Sequence, residues 1–355
     1  MNLLHLGALF LLLSGLSACG DQLVEYPRAD PDARQPNTGN PDAGDPPTVI
    51  ATSPANTATN VSLGRKVTAT FSRAMNPATI TGATFTVQQG GVDVEGVVTY
   101  AGNTATFTPA RPLDLALTYT ATATSRAQDP QGNALASNYV WTFTTGACSL
   151  RSVVLLSAAP FAVLAGSTVT STGPTSITGD LGVSPGTAVT GFPPGNLVGA
   201  QRAGDPTAAQ AGEDLTAAFN DAAGRVLCPV ILAGNLGGRT LAPGLYRSTS
   251  SLEITSGDLT LDANGDEEAV FIFQMASTLT TTAGRQVILS GGARAANVFW
   301  QVGSSATFGT TSVFQGTVMA DQAITMGTGA TLNGRVLARI AAVSLDSNHI
   351  ATPAP

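Results

Sequence analysis

Lysine is nearly missing from this chain: Lys66 is the only one, and Lys and Arg together number 16 in 355 residues. Asp and Glu number 23, the formal charge is -7, and no basic cluster interrupts the sequence. The electrostatic footprint that nucleic-acid binding requires is therefore lacking, and nucleic acid is excluded as a partner. Histidine is as scarce, with His5 in the first apolar segment and His349 near the C-terminus. A Ser-His-Asp triad, a Cys-His pair or a multi-histidine zinc site has almost nothing to draw on, so neither an enzyme nor a cofactor-dependent protein is expected. Charged residues make up 11% of the chain and aromatics 6%. What is abundant is threonine, 47 residues, with 39 Gly and 21 Pro. That composition favours β-structure with a neutral, hydroxyl-rich surface and argues against a helical bundle.

Residues Leu3 to Ala18 are almost wholly apolar and end in Leu16-Ser17-Ala18-Cys19, small residues before a cysteine at the end of a signal-length segment. The pattern resembles a bacterial lipobox. It implies a signal peptide over 1–18, cleavage before Cys19, and lipid on that residue as the membrane anchor of a cell-envelope protein. The alternative is an ordinary signal peptide with an incidental cysteine, and hence a secreted protein. Residues 19–46 are rich in Pro, Asp, Gly and Asn and carry too few apolar side chains to fold, so they read as a tether. With Cys19 lipidated, Cys148 and Cys228 remain as an even pair in an oxidising compartment and read as one disulfide. Two separately buried thiols are the alternative, since sequence does not supply a Cα distance.

Between 47 and 146, short alternating runs recur, among them Val67-Thr68-Ala69-Thr70-Phe71, Thr104-Ala105-Thr106-Phe107 and Val140-Trp141-Thr142-Phe143. Each is bounded by turn residues, and Gly102-Asn103 suits a tight hairpin, so the segment is expected to be an antiparallel β-sandwich. The string SPANTATNVSLGRKVTATFSRAMNPATI with the later Trp141-Thr142-Phe143-Thr144-Thr145-Gly146 resembles the bacterial Ig-like domains of surface-layer and secreted proteins. The resemblance implies a spacer.

Residues 147–355 follow another rhythm. Segments starting at Val270, Val298, Thr317 and Arg335 align as an imperfect repeat of roughly 20 residues, with up to three short strands and Gly-rich corners. Such a repeat predicts a β-solenoid. Its first strand is apolar on both sides and needs a cover. Asp205 as N-cap, Pro206, and the stripe Leu215, Ala218, Phe219 and Ala222 before Gly224 supply one helix for that purpose. In the second strand, if Leu279, Phe308, Met326 and Leu345 point inward, then Thr278, Thr307, Thr325 and Ser344 form one outward column. Thr280 lies beside it, and Thr282 and Thr311 extend the array.

Strings such as DLTAAFNDAAGR, LAGNLGGRTLAPGLYR and ILSGGARAANVFWQVGSSATFGTTSVFQGTVMA, in order between Ser157 and Ala354, resemble the microbial ice-binding protein family. The resemblance implies a mostly β protein: a right-handed, discontinuous β-solenoid with one long helix alongside, following the Ig-like sandwich. It implies adsorption to an ice crystal surface through one flat face rich in Thr, Ser, Ala and Gly; the protein is expected to be a monomer. Thr172 and Thr175, with Thr328 and Thr331, are a rival set for that face. An adhesin or polysaccharide-binding protein using the same face is the alternative function. The acidic run Asp262 to Glu268 lacks the glycine and final glutamate of a calcium loop and reads as a solvated corner between coils. A polysaccharide lyase would need clustered acids and a base, whereas Arg239, Arg247, Arg285 and Arg294 are scattered among corners.

Overall fold

The computed structural model describes residues 45–354; the expected signal peptide over 1–18, Cys19 and most of the expected tether over 19–46 lie outside them. Residues 49–145 form two packed sheets. One runs in the order Val49–Ser53, Val67–Phe71, Thr104–Pro109, Gly96–Ala101. The other runs Ala58–Val61, Tyr139–Thr145, Thr118–Ala123, Phe85–Gln89, Val92–Asp93, and its first pair is parallel while the rest are antiparallel. Period-2 alternation builds the core: Val67, Ala69 and Phe71 are buried while Thr68 and Thr70 between them are not. Trp141 stacks on Phe85 at 5.9 Å and Tyr119 on Phe143 at 5.6 Å in the same core. The expected hairpin is there, with Ala101 paired to Thr104 and Gly102 at φ 57°, a conformation that glycine adopts without strain.

Residues 161–351 form a solenoid of parallel strands with three faces. On the first, strands stack in the order Gln201–Ala203, Asp180–Val183, Phe161–Ala165, Thr331–Ala338, Val313–Ala320, Val298–Val302, Phe271–Met275, Gly244–Ser248, Val230–Ile231. The second runs Ala188–Thr190, Thr168–Thr172, Val343–Asp346, Ile324–Met326, Ala306–Phe308, Leu279–Thr281, Leu252–Ile254, Gly234–Asn235. The third runs from Asn196–Val198 through Ser176–Thr178 and His349–Ala351 to the first halves of the two eight-residue strands. The stack is discontinuous in sequence. Val163 pairs with Val336, Val169 with Val343 and Ile177 with Ile350, so the coils before the helix sit on the last coil of the chain. Inside, Tyr246, Phe273 and Trp300 stack coil upon coil at 5.1 and 4.0 Å, and Phe314 and Phe308 continue the column.

The helix Pro206–Gly224 covers the first face. Asp205 caps it, its carboxylate accepting from the Ala208 amide at 2.8 Å, and Pro206 opens it. Ala211, Leu215, Ala218, Phe219 and Ala222 bury against Leu164, Leu245, Ile272, Phe299, Met319 and Leu337, the outer side chains of six adjacent coils. That contact explains why these strands are apolar on both sides. Gln274 closes the other end, its amide donating to the carbonyls of Ala222, Ala223 and Arg225 at 2.7, 3.1 and 2.8 Å, so the helix's unpaired carbonyls are met from the sheet. Cys148 and Cys228 are bonded, with Cα atoms 5.6 Å apart and a sequence separation of 80. The bridge ties the start of this domain to the segment after its helix.

The sandwich docks on the acidic corner. Asp266 accepts from the Ser62 amide at 3.1 Å and from the Arg65 guanidinium at 2.9 Å, and Glu268 lies 3.9 Å from Lys66 and 3.6 Å from Arg294. The corner expected to be solvated is in part a docking surface.

Candidate functional site

The second solenoid face is built from short strands of two to five residues whose apolar side chains point inward. Val169, Val343, Leu345, Ile324, Met326, Ala306, Phe308 and Leu279 are all buried, which forces each intervening residue outward. Register then aligns those residues across the coils. Thr190 pairs with Thr170, Thr170 with Ser344, Ser344 with Thr325, Thr325 with Thr307, and Thr307 with Thr280. Six hydroxyl side chains in six consecutive coils thus form one line. At 4.7–4.9 Å per strand it is about 24 Å long. Glu253 and Asn235 hold the next two positions.

This column corrects the sequence reading at one end. Thr278 does not align with Thr307: Leu279 pairs with Ala306, so Thr280 takes the place in the column and Thr278 falls in the preceding corner, its hydroxyl 2.9 Å from that of Ser251. The cause is Thr281. It is buried opposite the apolar positions of its neighbours, with its hydroxyl accepting from the Gly309 amide at 3.0 Å. An inward threonine satisfied by a backbone donor carries no hydrophobic signal, and the alignment slipped by two residues. Thr307, Thr325 and Ser344 stand where alternation puts them.

Thr282 and Thr311 lie past the strand ends, both exposed, where the chain turns toward the third face. Thr311 has a positive φ of 56° and donates its hydroxyl to the Thr310 carbonyl at 2.7 Å; its amide donates to Thr328 at 3.0 Å. Thr328 in turn donates its hydroxyl to the Asp346 carboxylate at 2.5 Å, and Asp346 pairs with Thr172. These residues make a corner row beside the column.

The rival set does not form a face of its own. Thr175 is fully buried, its hydroxyl bonded to Ser171 at 2.7 Å and accepting from the Asn348 amide at 3.2 Å. Thr172 ends a strand of the second face, Thr328 sits on the corner, and only Thr331 belongs to the third, paired with Val313 and His349. Outward positions there mix Asn196, Ser176, His349, Thr331 and Val313. Sequence reasoning missed Thr170 and Thr190. The alternation Thr168-Val169-Thr170 was visible, but its place beside Ser344 follows only from the discontinuous stacking.

Fold and site together define a class: a discontinuous solenoid, one face covered by a helix, another carrying a column of hydroxyls in register. Residues 163–351 match the Ice-binding-like family, and residues 43–145 match the bacterial Ig-like domain family. The ice-binding protein of Nostoc sp. (strain HG1) is 44% identical over 209 residues, covering 59% of this chain and 77% of that one. The crystal structure of an ice binding protein from an Antarctic biological consortium is 58% identical with a TM-score of 0.57, covering 58% of this chain and 93% of that one. The ice-binding protein of the Antarctic ascomycete Antarctomyces psychrotrophicus is 41% identical with a TM-score of 0.56, covering 58% of this chain and all of that one, 100%. This chain belongs to the Ice-binding-like family.

Proposed function

We propose that the protein adsorbs to ice through the second solenoid face, with the line Thr190, Thr170, Ser344, Thr325, Thr307 and Thr280 at its centre. The in-register hydroxyl column is the observation that carries this reading. A solid surface offers no pocket-filling group, so recognition rests on many weak contacts repeated at fixed spacing, each a hydroxyl that holds water beside a methyl that excludes it. Short strands on a close-packed interior hold those groups in register. The protein acts as a binder rather than an enzyme and as a monomer. Lipid on Cys19 anchors it to the cell envelope, and the tether and sandwich hold the solenoid off the membrane. Family membership and the names of the relatives support the ice reading; the leader sequence supports the anchor.

Replacing Thr307 by Tyr tests the face. The side chain is exposed, so folding should be spared, while a phenol standing in the middle of the column lifts a flat surface off its neighbours. The expected result is loss of ice-recrystallisation inhibition at unchanged melting temperature, with Thr331→Tyr mild. If Thr331→Tyr abolishes activity and Thr307→Tyr spares it, the wrong face is assigned. If the wild-type protein leaves ice growth unaltered, the same face serves a surface polymer instead.

A further inference from the structure

We propose that Glu253 terminates the ice-contacting column, making it a specificity-determining residue that limits the site to six coils; this rests on the ice-adsorption reading above. Leu252 and Ile254 are buried on either side of it, so the Glu253 side chain projects on the same side as the threonines, directly opposite Thr280. Among the described residues its carboxylate makes no hydrogen bond and no ion pair. The following position adds nothing to the surface, because the Asn235 side chain is folded into its own corner. There its oxygen accepts from the Gly237 and Thr255 amides at 2.9 and 3.0 Å while its nitrogen donates to Ser256.

An unpaired carboxylate keeps its own shell of water, arranged by charge rather than by the spacing of neighbouring hydroxyls. It is also longer than threonine. A flat crystal face that covered Thr280 and continued over Glu253 would have to strip that shell, a cost with no compensating partner on either side. Contact therefore stops at Thr280. The boundary falls toward the sandwich: the chain leaves Leu252–Ile254 along the same coil into Leu259–Asp262 and the corner where Asp266 receives Ser62 and Arg65. The hydroxyl column is open at the Thr190 end and closed by charge at the docked end.

The test compares full-length wild type with Glu253→Thr, Glu253→Gln and Thr307→Tyr, reading the lowest protein concentration that stops ice recrystallisation alongside the melting temperature. Glu253→Thr should lower that concentration about fivefold, the factor for ~1 kcal/mol of avoided desolvation, with Glu253→Gln intermediate. If both Glu253 variants match wild type while Thr307→Tyr abolishes activity, Glu253 lies outside the contact and the proposal is wrong, although the ice reading stands. A loss of activity in either variant at unchanged melting temperature makes Glu253 a contributor and also overturns it. Should Glu253→Thr destabilise the fold, the isosteric Gln variant decides. If wild type never inhibits recrystallisation, the reading and the proposal fall together.

Discussion

The junction between sandwich and solenoid rests on Asp266, and removing it has a calculable consequence. Its carboxylate accepts two cross-domain hydrogen bonds, from the Ser62 amide at 3.1 Å and the Arg65 guanidinium at 2.9 Å, and one within its own corner from the Glu268 amide at 3.1 Å. Charge-assisted bonds contribute roughly 1.5–3 kcal/mol each when sheltered. The Arg65 and Asp266 side chains are 18% and 21% exposed, so solvent screening brings each cross-domain bond below that range, to about 1 kcal/mol. Asp266→Ala should therefore weaken the coupling between the domains by about 2 kcal/mol, and Arg65→Ala by about 1 kcal/mol. The chain contains two tryptophans, Trp141 in the sandwich core and Trp300 in the solenoid core, so Trp141→Phe and Trp300→Phe backgrounds report the two domains separately by fluorescence. In urea the sandwich transition should move down by about 1 M in Asp266→Ala, for a slope near that of a hundred-residue domain, while the Trp300 transition stays put. The double variant should fall short of the sum of the singles. Equal sandwich transitions in wild type and Asp266→Ala would refute the reasoning and make the junction a mere contact.

Opening the Cys148–Cys228 bridge, which closes a loop of 80 residues, should cost roughly 4–5 kcal/mol in the chain-entropy treatment, measured as the stability difference between wild type and the double Ser variant in urea. Ser157 donates its hydroxyl and its amide to Asp214 on the helix, which holds that carboxyl below the usual carboxylate range. A depressed folded pKa contributes stability that is fully present above the ordinary value near 4 and is lost as pH falls through the lower folded value. Wild type should thus lose more stability than Asp214→Asn on acidification below about pH 4, read by melting curves across that window. Cys19→Ser should release the protein from the membrane fraction; unchanged processing and partitioning would remove the lipid anchor from the account.

Patterns that lie within one strand or one helix were legible in the sequence. Alternation in Val67–Phe71 marked a sandwich strand, Gly102-Asn103 its hairpin, and Asp205 with Pro206 the start of the helix, because each is decided by neighbours in the chain. Relations between coils were legible only in part. Register at Leu279–Thr281 depends on what an inward threonine hydroxyl meets on the next coil, and the column's far end depends on residues 168–190 stacking against residue 344, more than 150 positions away in the chain. The acidic corner had the same difficulty: Asp266 and Glu268 look solvated until Ser62, Arg65 and Lys66 arrive from a domain 200 residues earlier.

The discontinuous stacking and the single helix are one device. Nine strands on the covered face leave eight intervals, about 38 Å, between Gln201–Ala203 at one end and Val230–Ile231 at the other. A helix of 19 residues spans about 28 Å, and residues 225–229 supply the remainder, so the helix carries the chain from one end of the solenoid to the other in a single pass. That pass lets coils made early in the chain extend a stack that ends late in it, and it places Thr170 and Thr190 at the end of the hydroxyl column. The landing point is the vulnerable part, since Val230–Ile231 is a two-residue edge strand with both side chains exposed. Cys228 stands two residues before it, bonded to the start of the domain, and Gln274 and Arg247 both bind the Arg225 carbonyl just upstream. The stabilising chemistry is thus concentrated where the return joins the stack, at the end of the solenoid opposite Thr190, and the hydroxyl face keeps its side chains free of such duties.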